Sequence, residues 1–321
     1  MGEIVKPLDL VKLEKCPLCE GRDISDYKYK VTSNHLGGDG RLYSLSYCKN
    51  CHHLFANPRP SSDYLTSIYN EISKKGENLT EKKDNSLLKL VKPSYLFSRN
   101  FVKFKKGERL LDVGCGNGLY LDFAKTRGAD VYGNDVDDYQ LQPIIKKYGG
   151  GKIRIGELKD NSWDSEFFDY ITLWHQFEHD FDPVTTIKEI HRILKPSGQV
   201  IIDVPNIDSL ERSVFGRYWS MYTPPFHLNH FSPKSITRLL EKNGFIVSEI
   251  RFPLFKPTSF LLSLLYVFSK RFNLYLSPRF TFFWVFFLAP FSLPFNLIGS
   301  LLGRSSNMIV IATKRSVGVE A

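Results

Sequence analysis

The segment from Leu110 to Gly118 joins an apolar run to a glycine-rich turn. It reads Leu-Leu-Asp-Val-Gly-Cys-Gly-Asn-Gly, so a predicted buried strand passes directly into the start of a predicted helix. Glycine is needed where the backbone has a positive φ or where a ligand approaches it closely. The unpaired N–H groups of the helix N-terminus attract a carboxylate. A second predicted strand ends at Asp135, whose carboxylate can accept both hydroxyls of a ribose. These residues predict a nucleoside-binding site.

Four of the five cysteines form two Cys-x-x-Cys pairs, Cys16/Cys19 and Cys48/Cys51. This spacing lets two thiolates bind one tetrahedral ion, so the four together predict a closed, structural zinc site in a loop-rich module. A redox role is disfavoured because neither pair opens a helix in a βαβ unit. No cleavable signal peptide is predicted, and we therefore expect a reducing cytosol. Cys115 lies in the glycine-rich turn and is interpreted as a small filler.

Polar side chains follow the predicted strand 168–174 at its carboxyl end, the edge where ligands bind in open α/β sheets. His175 leaves the strand first and is the candidate general base for a hydroxyl acceptor. Glu178 can orient a histidine or help to hold a cation. His179 either takes part in catalysis or supports the helix that follows. This group predicts proton transfer at the edge of the sheet.

Two further histidines, His227 and His230, precede the predicted helix 232–243. We expect His227 to contact the substrate and His230 to brace the loop. The segment Thr223-Pro-Pro-Phe superficially resembles the Asp/Asn-Pro-Pro-aromatic motif of enzymes that methylate base amines. It lies after the fifth strand, however, and lacks the acidic or amide residue, so methylation of a base amine is disfavoured.

The elements that must position these residues begin at Glu108, where short apolar runs alternate with amphipathic stretches. This alternation predicts βαβ units and a parallel sheet. The predicted strands are 109–113, 130–135, 152–155, 168–174, 198–205, 245–252 and 307–314, and the predicted helices are 118–127, 138–147, 184–194 and 232–243.

Composition bounds the alternatives. With 42% hydrophobic and 24% charged residues in 321, the chain is neither disordered nor fibrous. Its 43 Lys and Arg against 34 Asp and Glu give a net charge of +9. This balance suits an anionic partner: nucleic acid, a phosphorylated substrate or an anionic lipid surface.

The pattern Asp-x-Gly-x-Gly-x-Gly, starting at Asp112, resembles the first motif of class I S-adenosylmethionine-dependent methyltransferases. It differs from the Gly-x-Gly-x-x-Gly of dinucleotide enzymes. The resemblance implies a doubly wound, Rossmann-like α/β sheet of seven strands, with the last strand antiparallel beside the sixth. It also implies S-adenosylmethionine as cofactor, with Glu157 near the adenine amino group. The implied cofactor-binding residues are Asp112, Gly114, Gly116, Gly118, Asp135, Glu157 and Trp174.

The pattern Trp-His-x-x-Glu-His-x-x-x-Pro, from Trp174 onward, resembles methyltransferases that act on sugars and quinone-like small molecules. A four-cysteine ribbon followed by Ala56-Asn-Pro-Arg-Pro resembles the module before the methyltransferase domain of deoxysugar C-methyltransferases and polysaccharide-cluster enzymes. The resemblance implies methyl transfer to a sugar, as a nucleotide- or lipid-linked glycan, with His175, Glu178 and His179 as catalytic residues. The alternatives are a quinone or lipid O-methyltransferase, a nucleic-acid methyltransferase using the ribbon, and a non-catalytic scaffold. Because the ribbon's basic residues are scattered, nucleic acid is disfavoured.

The segment between Phe252 and Gly303 contains no Asp or Glu and carries two uncharged runs, 257–269 and 280–303. If the flanking strands pair in one sheet, both ends of the segment lie on the same side of a membrane. We therefore expect two helices that dip into the cytosolic leaflet of an anionic membrane without crossing it. The alternative is a buried helical subdomain or a dimer interface.

The chain is thus expected to divide into four parts: a zinc ribbon (12–60), a helical linker or lid (61–106), the methyltransferase domain (107–252 and 305–315) and the apolar insertion (253–304). The sequence leaves open whether O, C or N is methylated, and it leaves the oligomeric state open.

Overall fold

The computed structural model describes residues 9–32, 41–65, 67–68, 99–254, 257–272, 290 and 292–315. In chain order the strands are β1 (Leu10–Val11), β2 (Ile24–Asp26), β3 (Val31–Thr32), β4 (Leu42–Tyr43), β5 (Leu45–Cys48), β6 (Leu54–Ala56), β7 (Arg59–Pro60), β8 (Arg109–Val113), β9 (Asp130–Asp135), β10 (Ile153–Ile155), β11 (Phe168–Trp174), β12 (Leu194–Pro205), β13 (Asn229–His230), β14 (Phe245–Arg251) and β15 (Asn307–Lys314). The α-helices are α1 (Leu119–Thr126), α2 (Asp138–Tyr148), α3 (Pro183–Ile193), α4 (Leu210–Phe215), α5 (Pro233–Lys242) and α6 (Pro257–Phe272).

Seven strands form the central sheet in the order β10-β9-β8-β11-β12-β15-β14. The first five of these pair in parallel. Strand β15 runs antiparallel to both of its neighbours, β12 and β14. The predicted Rossmann-like α/β sheet is therefore confirmed, including the last strand of the chain lying beside the sixth.

Strand β12 begins earlier than predicted. Leu194 already pairs with Phe168, and after a register shift Tyr170 pairs with Gln199. Ser197 takes a φ of 60° in the interval, so a local turn separates the two stretches of pairing. The predicted start at Gly198 was wrong because pairing resumes across this irregularity.

Side-chain caps fix where the helices next to the site begin. The side chains of Asp137, Asp182 and Ser232 accept hydrogen bonds from backbone N–H groups in the first turns of α2, α3 and α5. Pro183 and Pro233 occupy the first turns of their helices, where a missing N–H has no cost. These starts hold the helices against the sheet, and the loops before them carry the polar side chains of the site.

The ribbon (12–60) is joined to the domain that contains the seven-stranded sheet, called the sheet domain below, by strand pairing and by a common core. Strands β2, β5 and β6 form an antiparallel sheet. Its fourth strand is β13, which belongs to the sheet domain and pairs with β6. Cys16, Cys48 and Phe55 belong to the same buried core as Val113 and Phe177. The ribbon is therefore packed as a continuation of the larger domain.

The first described helix of the apolar insertion, α6, packs one face on the sheet domain. The ring of Phe260 lies 5.2 Å from that of Phe215, between ring centroids. The buried Ser259 hydroxyl donates to Glu211 and contacts Ser306 at 3.1 Å. Residues 292–301 are also helical. No helix in the described ranges combines the length and apolarity required to span a bilayer.

Two predicted segments fall partly outside the described residues. The linker 61–106 is described only at 61–65, 67–68 and 99–106, and residues 62–65 are helical. The insertion is described at 253–254, 257–272, 290 and 292–304.

Candidate active site

The glycine-rich loop joins β8 to α1 with three positive φ angles: 73° at Gly114, 49° at Gly116 and 72° at Gly118. A Cβ at Gly114 would lie 2.5 Å from Cγ of Gln176, in the loop after β11. The two loops thus touch, and any side chain at Gly114 would separate them. The predicted glycines lie where the backbone conformation requires them.

Asp135, at the end of β9, holds this loop. Its Oδ2 accepts from the N–H of Gly116 at 2.9 Å, and its Oδ1 accepts from the N–H of Asp137 at 3.0 Å. Burial raises the pKa of Asp135, while these two N–H donors act in the opposite sense. The carboxylate lies beside the glycine-rich loop at the carboxyl edge of the sheet, as a ribose ligand requires.

Asp112 lies inside the sheet, two residues before the first glycine. Its Oδ1 accepts from the Thr172 hydroxyl at 2.7 Å, and this bond ties β8 to β11. Burial raises the pKa of Asp112 to about 7. Cys115 is buried too, and its Sγ lies 2.8 Å from the position that a Cβ on Gly133 would occupy. Cys115 thus fills space against β9.

The adenine-side residue predicted from the family resemblance, Glu157, follows β10 and directly precedes the short 3₁₀ helix Leu158–Asp160. Its carboxylate is 2.8 Å from Nζ of Lys159, and both side chains are about half exposed. The cofactor role of Glu157 stays a prediction.

His175 directly follows β11 and has a φ of 57°. Its Nδ1 lies 3.2 Å from Oε1 of Glu178, which is fully buried. Its Nε2 lies 3.3 Å from Nδ2 of Asn307 and 3.5 Å from Oδ2 of Asp203. The imidazole therefore stands between two buried carboxylates, which fix the position of the ring.

His179 and His227 lie on the other side of Glu178, with ring centroids 4.7 Å apart. Nδ1 of His179 lies 3.1 Å from the carbonyl of Phe226, and Nδ1 of His227 lies 2.8 Å from that of Met221. Burial lowers the pKa of both histidines. Glu178, His179 and His227 place one ligand atom each within 4.8 Å of one another, a donor set that can hold a divalent cation.

Three residues that the sequence did not single out complete this group. Asp203 forms a buried ion pair with Arg99, with 3.3 Å between NH2 and Oδ2, and also contacts Asn307. The Arg99 guanidinium lies 4.5 Å from the ring centroid of Trp174, which is buried. Asp203 could have been noticed, because it is an acidic residue near the end of β12, opposite Trp174 of β11. Arg99 and Asn307 belong to no motif.

The predicted zinc ligands converge. Sγ of Cys16 lies 3.5 Å from that of Cys51, and Sγ of Cys19 lies 3.5 Å from that of Cys48. All four sulfurs lie within 4.8 Å of one another. A tetrahedral ion with Zn–S bonds of ~2.3 Å separates its sulfurs by roughly 3.8 Å, so the four thiolates fit a closed zinc site.

Two other histidines have structural surroundings. Nε2 of His53 lies 3.2 Å from Oδ1 of Asn229, which joins the ribbon to the sheet domain. His230 packs edge-on against Tyr222, with ring centroids 5.4 Å apart. Burial lowers the pKa of each to about 3, so both are neutral at neutral pH.

The strand order, the three-glycine loop and the acidic residue at the end of β9 together define the class I methyltransferase fold. Residues 91–250 match the family model described as a methyltransferase domain. This part of the chain is therefore an S-adenosylmethionine-dependent methyltransferase domain.

Two curated proteins and one solved structure are similar to this chain. A protein of Mycolicibacterium smegmatis named as a probable S-adenosylmethionine-dependent methyltransferase is 26% identical over 166 residues, 50% of this chain and 63% of that protein. A ubiquinone biosynthesis O-methyltransferase of Alkalilimnicola ehrlichii is 34% identical over 108 residues, 32% of this chain and 43% of that enzyme. A solved SAM-dependent methyltransferase of Archaeoglobus fulgidus is 21% identical, covers 70% of this chain and 94% of its own, and has a TM-score of 0.46. The chain spans less than two thirds of the length of these two curated relatives.

Proposed function

We propose that this protein transfers the methyl group of S-adenosylmethionine to a hydroxyl oxygen of a small-molecule or lipid-linked acceptor. The observation that carries the proposal is the pairing of His175 with buried Glu178, 3.2 Å apart, next to the glycine-rich loop. A base at this place suits a hydroxyl acceptor, because an amine or a thiolate depends less on proton removal.

Asp135 and the three glycines would hold the cofactor, which supplies a methyl group on a positively charged sulfur. Trp174, Glu157 and Asp112 would line or brace the same pocket. Methyl transfer itself needs the acceptor oxygen held in line at short distance. The chain's residues therefore contribute chiefly position and proton removal.

His175 is the proposed base. A ring nitrogen of His175 would take the proton of the acceptor hydroxyl, and Glu178, 3.2 Å from Nδ1, would orient the imidazole. The bound cofactor would supply the methyl group. The resulting imidazolium lies between the carboxylates of Glu178 and Asp203, at 3.2 and 3.5 Å. Both carboxylates are fully buried, so solvent screens this attraction weakly. His179 and His227 would orient Glu178 or contact the acceptor.

The proposed acceptor is a sugar, and a quinone-like phenol is the second candidate. The sugar rests on the Trp-His-x-x-Glu-His pattern and on the ribbon, while the names of the ubiquinone relatives favour the phenol. Both are hydroxyl acceptors that a histidine base serves.

The proposed location is the cytosolic face of an anionic membrane. Apolar side chains on the helix at 292–301 and just after it lie on one face: Leu293, Leu297, Ile298, Leu301 and Leu302. Leu301 is 76% exposed and Leu297 is 48% exposed. A contiguous apolar face of this kind binds a lipid surface while α6 stays packed on the protein.

Methyl transfer is tested by incubating the purified chain with S-[methyl-³H]adenosylmethionine and either a lipid extract or a pool of sugar nucleotides. Label in a base-stable, hydroxyl-linked methyl group of either fraction supports the proposal, and the fraction identifies the acceptor class. Label found only on nitrogen or carbon, or no label in either fraction with cofactor bound, would contradict it.

Membrane binding is tested by co-sedimentation with vesicles of anionic phospholipid. The double variant Leu297→Glu/Leu301→Glu should bind about 10-fold more weakly than the original chain, because two charges enter the apolar face. Leu42→Glu, at a 63% exposed leucine of the ribbon, is the matched control. Equal loss in both variants would show that the 292–301 face is not the contact.

A further inference from the structure

A cavity of about 270 Å³ opens between the ribbon and the sheet domain. The ribbon contributes Tyr27, Tyr47 and His52 to its wall, and the sheet domain contributes Asp208, Arg212 and Lys234. The cavity shares no residue with the glycine-rich loop or with the His175–Glu178 pair. Nothing in the proposed chemistry uses it so far.

The chemistry of the wall is specific. Arg212 donates to the Tyr27 hydroxyl at 2.5 Å, and the Tyr47 hydroxyl contacts Nδ1 of His52 at 2.5 Å. Nε of Arg212 is buried and has no hydrogen-bond partner in the described part of the chain. Two cations stand against one carboxylate, so the wall carries a net positive charge. Arginine and lysine with tyrosine rings and a carboxylate are the groups that bind a phosphate and a neighbouring hydroxyl-bearing ring.

Two short segments connect the cavity to the candidate active site. Asp208 of the cavity wall lies five residues after Asp203, which contacts His175. Ser232 of the wall lies five residues after His227, which is beside Glu178. Five residues of extended chain span at most about 18 Å. The cavity wall therefore lies within about 18 Å of these site residues, a separation that an acceptor with a remote, non-reacting end can span.

We propose that this cavity binds a phosphorylated sugar, as the non-reacting end of the methyl acceptor. The inference rests on the proposed methyl transfer and specifies its acceptor class. A volume of 270 Å³ suits one sugar phosphate rather than a whole nucleotide sugar. Binding energy gained at this remote end positions the reacting hydroxyl at His175. The ribbon is then a substrate-binding element, because four of the nine residues of the wall belong to it.

The test uses the full chain with its zinc and measures binding of glucose 1-phosphate, inorganic phosphate and free glucose by ligand-detected NMR. Glucose 1-phosphate should bind at least about 10-fold more tightly than either of the other two, because phosphate and ring contribute together. Inorganic phosphate binding as tightly as glucose 1-phosphate would overturn the sugar part of the proposal. No binding of glucose 1-phosphate would overturn all of it.

Two variants locate the binding. Arg212→Gln should weaken glucose 1-phosphate binding about 10-fold or more, and Lys234→Gln, at an exposed position, should weaken it several-fold without affecting the fold. S-adenosylmethionine affinity should be unchanged in both. Arg217→Gln is the control, since Arg217 lies outside the cavity wall, near Tyr29. Unchanged sugar phosphate binding in both cavity variants would overturn the assignment.

The experiments distinguish failure of the proposed methyl transfer from failure of the cavity assignment. If no acceptor is labelled while glucose 1-phosphate still binds in an Arg212-dependent manner, the cavity assignment stands and the reaction proposal fails. If methyl transfer to a lipid phenol proceeds at the same rate in wild type, Arg212→Gln and Lys234→Gln, the cavity assignment fails and the reaction proposal stands.

Discussion

The proposed cofactor side of the site is built mainly from neighbouring chain segments, whereas the proposed acceptor side also depends on contacts between distant ones. The bond from Gly116 to Asp135 joins residues 19 apart. On the proposed acceptor side, His175 contacts Asn307, which is 132 residues away in the chain. The ribbon is held beside this side by the contact of His53 with Asn229, 176 residues away. The cofactor side can therefore form from one βαβ unit, while the acceptor side depends on the ribbon, the last strand and the loop before α5. Substitutions far from the chemistry should damage the second side and spare the first.

The largest expected difference between the two sides follows from removal of a zinc ligand, which should damage the proposed acceptor side and leave the proposed cofactor side folded. The native chain should bind one zinc, and Cys16→Ser should lose it and unfold the ribbon, because a structural zinc contributes roughly 10 kcal/mol to folding. Elemental analysis and hydrogen exchange of residues 41–56 measure both effects. S-adenosylmethionine affinity should fall much less than acceptor turnover. Cys115→Ser, at a buried cysteine outside the cluster, should keep its zinc. Retention of zinc in the Cys16 variant would contradict the site.

Removal of the proposed base affects turnover alone. His175→Ala should lower kcat by about 10²–10⁴ with unchanged cofactor affinity, because it removes proton transfer and leaves the glycine-rich loop intact. Steady-state rates and calorimetry with S-adenosylmethionine separate the two quantities. His191→Gln, on α3, is the control. Comparable losses of kcat in both variants would mean that His175 has no special role.

The pH dependence of stability probes the sheet beneath the cofactor side. Burial raises the pKa of Asp112 from 3.8 to about 7, so between these values the folded state binds more protons than the unfolded state. The free energy of unfolding must then fall as pH rises from about 4 to 7. Asp112→Asn should reduce the difference in unfolding free energy between pH 5 and pH 8 by about 2 kcal/mol. Denaturant titrations at the two pH values measure it.

Burial also raises the pKa of Asp180, to about 6. Asp180 is present in the original chain and in Asp112→Asn, so its contribution to the pH dependence of unfolding is common to both and cancels in the comparison. An identical pH dependence in the original chain and in Asp112→Asn would show that Asp112 is ionised at low pH in the folded protein.

The smallest expected effect falls on cofactor affinity. Asp135→Ala should weaken S-adenosylmethionine binding roughly 10-fold, or about 1.4 kcal/mol, because the ribose contact and the two N–H contacts to the loop are lost. Asp130→Asn, at the other end of the same strand, is the control. Calorimetry on the two variants decides, and equal affinity in both would exclude Asp135 as a cofactor ligand.

The features that could be predicted from sequence are those with local causes. The strand before Gly114, the glycine conformations and the position of Asp135 follow from an apolar run, from φ sterics and from the strand that comes next. The exact bounds of β11 and β15 were predicted because apolar runs there are long and end at polar residues. The start of β12 was not, because a local turn at Ser197 conceals the resumed pairing.

The features that could not be predicted depend on side chains that meet only in the folded chain. The hydrophobic periodicity of the sequence does not predict that Arg99 forms a buried ion pair with Asp203, or that Asn307 contacts His175. For the insertion, the sequence predicted two membrane-dipping helices, with a buried helical subdomain or a dimer interface as the alternative. Its first helix instead buries Ser259 and Ser263 against the protein, because their hydroxyls find hydrogen-bond partners at Ser220 and Glu211.

The pairing of β6 with β13 also constrains how this architecture can be inherited. Asn229 and His230 supply the edge that completes the ribbon's sheet, and His227 precedes them by two residues. An ancestral exchange that replaced the ribbon alone would have left an unpaired sheet edge beside the proposed substrate-contacting loop. We therefore expect the ribbon and the loop to tolerate exchange between enzymes better together than singly, although about 170 residues separate them in the chain.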